Sequence, residues 1–192
     1  MKNRGSALVT GLVVLGVLAV VGFGWYMSGY NSAIRKDEQV KSSWAQVENQ
    51  LQRRNDLIPN LVNTVKGFAA QEKGIFLEVT RLRSQWGEAK TIDQKIENAS
   101  EMSSALSRLL MVQENYPQLK SNENFLALQT QLEGTENRIA VERMRYNESV
   151  QNFNFYQRSL LGKFFTAKAG LTQPAIYFKS EEKAKEVPQV TF

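Results

Sequence analysis

Two groups of charged side chains have the types and spacing to do chemistry. The first is Arg53-Arg54-Asn55-Asp56, with Pro59 and Asn60 just beyond it. Adjacent guanidiniums can hold a carboxylate or phosphate through planar, two-pronged hydrogen bonds, which makes these residues a candidate interaction junction. The same residues also suit a meeting of two helices. Cations at one helix end and Asp or Asn at the next start complement the helix dipoles, and Asn55 or Asp56 can cap orphan amides. The second group, Asp93, Glu97 and Glu101, recurs every four residues and so occupies one face of a helix. Carboxylates there could serve a cation or a hydrolase, but the pattern is also that of a solvated surface. No EF-hand loop, phosphate-binding glycine loop or nucleophile elbow accompanies them. The chain has 192 residues and neither cysteine nor histidine. That removes thiolate nucleophiles, imidazole bases and the usual zinc, haem and iron–sulfur ligands, so no catalytic residue, metal or cofactor is expected.

The elements that position these groups begin with an anchor. Residues 7–27 carry no charge and consist mainly of Val, Leu, Ala and Gly. At about 1.5 Å per residue such a helix spans a hydrocarbon layer of roughly 30 Å. A cleaved signal peptide is the rival, since Lys2 and Arg4 give a basic start, but its apolar core would be shorter and end at a small-x-small site. Here the run ends in Trp25 and Tyr26, residues suited to a membrane interface. A transmembrane helix over 7–28 is therefore expected, after a tail of residues 1–6. Lys2 and Arg4 on one side against Arg35, Lys36 and Lys41 on the other leave the charge rule for orientation nearly balanced.

The net charge of +5 is not a nucleic-acid signal, because residues 30–162 hold 17 Lys and Arg against 16 Asp and Glu. Within that span, positions 40, 44, 47, 51, 54, 58, 61, 65, 68, 72, 75, 79, 82 and 86 alternate spacings of four and three, and all but Arg54 and Glu72 are apolar. Such a seam belongs to helices packed at shallow angles. A second stripe, Phe125, Leu128, Leu132, Ile139, Tyr146, Phe153, Tyr156 and Leu160, marks a long last helix. Ile92, Ile96, Ala99, Leu106 and Leu110 mark a shorter one, closed at Tyr116-Pro117. Ser121 is placed to cap the helix that follows. The fold is expected to be all-α: an antiparallel up-and-down four-helix bundle over 30–162, with helices near 31–54, 58–88, 92–115 and 121–162, then an extended tail over 163–192. If the chain is only kinked at Pro59, three long helices result instead. Gly67, Ala70 and Gly74 would form a close-packing face for another helix, internal or from a second copy. With four helices the last returns toward the bilayer, bringing Lys163-Phe164-Phe165 and Ile176-Tyr177-Phe178 near the headgroups unless they simply cover the bundle end.

Residues 51–70, Leu-Gln-Arg-Arg-Asn-Asp-Leu-Ile-Pro-Asn-Leu-Val-Asn-Thr-Val-Lys-Gly-Phe-Ala-Ala, resemble the LemA family of bacterial membrane proteins, as do Gly29-Tyr30-Asn31 upstream and the closing Pro188-Gln189-Val190-Thr191-Phe192. The resemblance implies a single-pass anchor carrying a four-helix domain in the cytoplasmic membrane, with the domain outside the cytoplasm. Some LemA-like chains carry a lipid-attachment cysteine just before Gly-Tyr-Asn; Ser28 stands there in this one. The expected function is a non-catalytic scaffold or adaptor that meets the bilayer through residues 7–28 and assembles with itself or with other envelope membrane proteins. By the same resemblance a membrane protease or a phosphatase-like envelope protein is a partner class. The alternatives are membrane shaping, as in LemA-like proteins of magnetosome membranes, and an envelope hydrolase using carboxylates.

Overall fold

A computed structural model of the chain describes residues 4–179, and every regular element in that range is helical. The elements are α1 (Arg4–Lys66), α2 (Lys73–Glu88), α3 (Ile92–Met111), a 3₁₀ turn (Val112–Glu114), α4 (Pro117–Lys120), α5 (Glu123–Arg158) and α6 (Leu160–Lys168). The described residues fall into two compact units, 4–41 with 149–175 and 42–148 with 176–179. The closing Pro188–Phe192 motif lies outside the described residues, as does Lys2.

In the second unit, α1, α2, α3 and α5 contribute to one apolar core. Ile58, Leu61 and Val65 of α1 meet Phe76, Val79 and Leu82 of α2, Met102, Ala105 and Leu109 of α3, and Phe125 and Leu132 of α5. The four-three spacing explains the burial: it keeps one stripe of each helix facing its neighbours. Side-chain pairs give the register. Trp86 Nε1 donates to Gln52 Oε1 at 3.1 Å, Arg108 pairs with Glu78 at 2.6 Å, and Lys95 pairs with Glu48.

The helix boundaries correct the sequence reading at three places. The chain does not turn between Asn55 and Ile58, because α1 runs through Pro59. Proline removes one helical N–H, the donor for the Asn55 carbonyl, but the apolar phase is unbroken on both sides of it, so burial holds the helix together. Nor does a single rod reach Trp86, because α1 ends at Lys66 and a turn over 67–72 separates it from α2. Gly67, Ala70 and Gly74 are consequently spread over a helix end, a turn and the first turn of α2, and all three are exposed. A Cβ at Gly74 would meet nothing within 4 Å, so no helix approaches closely there. Finally, residues 163–168 belong to α6 instead of an extended tail.

Local capping fixes the remaining ends. Thr91 and Gln94 form a reciprocal capping box at the start of α3. Asn122 caps α5 by accepting from Phe125 N at 3.0 Å, whereas the Ser121 hydroxyl donates back to the Pro117 and Gln118 carbonyls. The cap therefore falls one residue after the one expected.

In the first unit, α5 stops at Ser159, whose extended backbone and side chain start α6: the Ser159 hydroxyl accepts from Gly162 N at 3.1 Å and donates to Tyr156 O at 2.7 Å. A Cβ at Gly162 would sit 1.9 Å from Tyr156 O, so this elbow requires glycine. The far end of α6 closes at Gly170 with φ 74°. Leu171 N bonds Thr166 O and Gly170 N bonds Ala167 O, the pairing by which a glycine in the left-handed region satisfies the last carbonyls of a helix.

Candidate functional site

Arg54 was one of two polar residues interrupting the apolar stripe, and it is 2% exposed. Its neighbours on α1 diverge: Asn55 is buried, while Arg53, Asp56 and Asn60 are exposed and Pro59 is half-buried. The expected junction is thus a mid-helix strip within the second unit that turns one guanidinium inward. There Arg54 Nη1 donates to Ser103 Oγ at 2.7 Å and to Glu136 Oε2 at 3.1 Å, and Nη2 donates to Ala99 O at 3.1 Å. One buried cation so ties α1 to α3 and α5. Burial lowers its pKa from the ordinary arginine value, with Glu136 opposing that shift and Arg143 adding to it. A charge taken out of water is tolerated only when it is paired and hydrogen-bonded, and Glu136 with the Ala99 carbonyl meets most of that need. Arg54 Nε and Asn55 Oδ1 are buried without a hydrogen-bond partner.

Arg54, Ser100, Ser103, Ser107, Glu136 and Arg143 line a groove of about 390 Å³. Neighbouring Phe178 is buried: its ring lies 4.1 Å from the Arg143 guanidinium and 6.4 Å from the Trp44 ring. Asn147 clamps the Phe178 peptide with both side-chain atoms, accepting from its N–H at 2.8 Å and donating to its carbonyl at 2.9 Å. Tyr146 donates to Ile176 O at 2.7 Å, and its pKa is pushed up to about 12, first by burial and then by the charge of Asp93. In the first unit Asn154 clamps Ala175 in the same two-pronged way, each bond 2.8 Å long. These clamps were not found from the sequence, although Asn147 and Asn154 stand seven residues apart on one helical face.

The acidic face behaves as a surface. Asp93, Glu97 and Glu101 are all exposed, and Glu101 lies 3.9 Å from Arg81, itself half-exposed. Glu97 and Glu101 border an open groove of about 420 Å³ with Arg81, Gln85 and Glu88. Among the described residues, no group of three acidic side chains is placed to hold a metal ion.

Trp25 and Tyr26 are brought into an aromatic cluster. The Phe165 ring meets Trp25 edge-on with centroids 5.3 Å apart and lies 5.9 Å from Tyr26. Tyr26 in turn stacks with Tyr30 at 6.3 Å. Gly29 makes room for this packing: a Cβ there would come within 2.3 Å of the Phe165 ring. Tyr156 closes the contact by donating to Gly29 O at 2.9 Å. From Val9 to Gly24 every residue of α1 except Thr10 is apolar or glycine, and Val9, Leu12, Leu15, Leu18 and Val20 are all more than half exposed. A helix that is apolar all round and covered by none of the described residues suits an apolar solvent.

Among the described residues one helix is long and apolar enough to cross a membrane, and it continues into an all-helical core, the make-up of a membrane-associated helical protein. The chain belongs to the LemA family, whose model matches residues 43–192. Curated relatives extend the likeness to the anchor. The magnetosome proteins MamQ 1 and MamQ 2 of Paramagnetospirillum magneticum are each 26% identical over 217 aligned residues, covering 99% of this chain and 79% of theirs. The magnetosome protein MamQ of Magnetospirillum gryphiswaldense is 25% identical over 180 residues, covering 80% of this chain and 66% of its own.

Proposed function

We propose that the protein is a membrane-anchored, non-catalytic helical scaffold or adaptor that assembles with itself or with other membrane proteins of the bacterial envelope. The observation that carries this reading is α1, which supplies both the apolar span and, from Val47 to Val65, a buried wall of the second unit. In this reading residues 7–28 cross the cytoplasmic membrane and residues 30–162 form an antiparallel up-and-down four-helix bundle from parts of α1, α2, α3 and α5. Arg53, Asp56 and Asn60 present polar groups on the exposed face of α1. They are the surface to which a partner would bind, whether a second copy, a membrane protease or a phosphatase-like envelope protein. Arg54 acts as an internal tie, since both of its terminal guanidinium nitrogens are already engaged. The lack of cysteine and histidine and the open, solvated setting of Glu97 and Glu101 disfavour a hydrolase.

Membrane shaping is the second reading. It is favoured by the exposed apolar residues of α6 and by the magnetosome relatives. The short basic start at Lys2 and Arg4 supports an amino terminus in the cytoplasm and a domain outside it. A single Ser121→Cys substitution tests orientation and assembly together, using a membrane-impermeant reagent that couples to thiols and crosslinks on illumination. Adducts larger than the monomer in unlysed cells are expected. Labelling only after lysis would reverse the orientation, and a labelled chain that never leaves the monomer position would contradict the scaffold.

A further inference from the structure

The geometry points to a second bilayer contact: α6 is an amphipathic foot that lies in the headgroup layer beside the point where α1 leaves the hydrocarbon. The inference rests on α1 being a membrane span and goes beyond it by assigning a lipid-binding surface to another element.

Its first support is position. After Arg4 no charged residue occurs until Arg35, and Trp25 and Tyr26 close the strongly apolar part of that run. Aromatic residues at such a boundary settle at the lipid–water interface. The ring of Phe165 is seated on both of them and on Gly29, and Tyr156 is bonded to the Gly29 carbonyl. These contacts hold α6 at the level of the boundary.

The second support is what α6 leaves uncovered. With Phe165 turned inward, Leu160 is 91% exposed, and Leu161 and Phe164 are about half exposed. Phe155, on the last turns of α5, is 72% exposed. Apolar side chains grouped this way on a short helix need a partner. Lipid is the occupant because the patch sits in the same unit as the bare apolar surface of Val20, Val21 and Phe23 and at its edge.

Charge is the third support. Residues 149–175 contain Arg158, Lys163 and Lys168 and no Asp or Glu. Lys163 and Lys168 border the exposed apolar residues, with Lys168 Nζ 5.9 Å from the centre of the Phe164 ring, and a short apolar helix edged by lysines binds in the plane of an anionic membrane surface. The requirement for glycine at 162 then has a role: it turns the chain sharply enough to lay α6 off the end of α5.

The test uses the full chain, which has no native cysteine. Leu160→Cys is labelled with an environment-sensitive fluorophore and reconstituted into vesicles of phosphatidylcholine and phosphatidylglycerol that carry a spin-labelled quencher lipid. Leu18→Cys in the span and Leu77→Cys on α2 serve as references. The inference predicts loss of fluorescence at 160 as at 18, with the label at 77 unaffected. Quenching at 18 but not at 160 would overturn the foot and leave the anchor standing. A label at 160 shielded from aqueous iodide yet untouched by the quencher lipid would mean that protein covers the face, which also overturns it. Quenching at neither position would remove the anchor and the foot together.

Discussion

Leu18 and Leu51 are the same residue type on the same helix, yet Leu18 is 65% exposed and Leu51 is fully buried. The difference comes from their neighbours. Around Leu18 almost every position is apolar, so no face of α1 can turn to water and none needs to turn to protein. Around Leu51 apolar residues recur at spacings of three and four, with Arg, Asn, Gln and Asp between them. One stripe is then driven into a core and the rest is solvated. The two units thus use apolar side chains differently: the first displays a continuous run of them along α1 and a group on α6, whereas the second gathers most of its own into a core and admits a charge where Glu136 and the Ala99 carbonyl receive it.

The sharpest way to break this contrast is to truncate one large side chain of each kind. Phe125 is fully buried among core residues. Phe125→Ala should lower unfolding stability by about 3–5 kcal/mol through lost transfer energy and the cavity left behind. Leu160→Ala should change it by no more than about 0.5 kcal/mol. Denaturant unfolding of the detergent-solubilised protein, followed by circular dichroism, measures both, and equal losses would erase the distinction.

A smaller effect sharpens the account of the buried charge. Glu136→Ala leaves the Arg54 guanidinium without its counter-charge. Because Glu136 is half-exposed and solvent screens part of the loss, the expected cost is about 1–2 kcal/mol. Arg54→Met removes the charge along with its need for a partner, and Ser103 keeps its own bond to Ala99 O at 3.0 Å. It should cost less than Glu136→Ala, about 1 kcal/mol or under. The reverse order in the same unfolding measurement would show that Arg54 contributes through its hydrogen bonds and not merely by being neutralised.

Much of this was legible in the sequence because period and charge are local properties. The uncharged run gave the apolar helix, and the three-four spacing gave the stripe from Val40 to Val65, with Arg54 flagged as its polar exception. Pro59 misled, since a proline reads as a break while the burial of Ile58 and Leu61 on either side of it is a tertiary effect. The true end of α1 had a weaker local mark, Gly67 followed by five residues without regular structure before α2. Arg53 to Asn60 could be listed as a cluster, but which guanidinium turns inward depended on α3 and α5. The elbow at Ser159 and Gly162 interrupts a stripe that otherwise continues to Leu160, and the Asn147 and Asn154 clamps act on backbone far along the chain. Neither device shows in the apolar periodicity, and the seven-residue spacing of the two asparagines does not say which backbone they hold.

The most direct test of the central claim, that the exposed apolar helix faces lipid, is an alkaline carbonate wash of membranes expressing the full chain, followed by intact mass measurement of the fraction that holds it. The account predicts the protein in the membrane pellet with residues 1–29 present. A washed-off species lacking that segment would contradict it, making the apolar run a removed leader instead of the anchor.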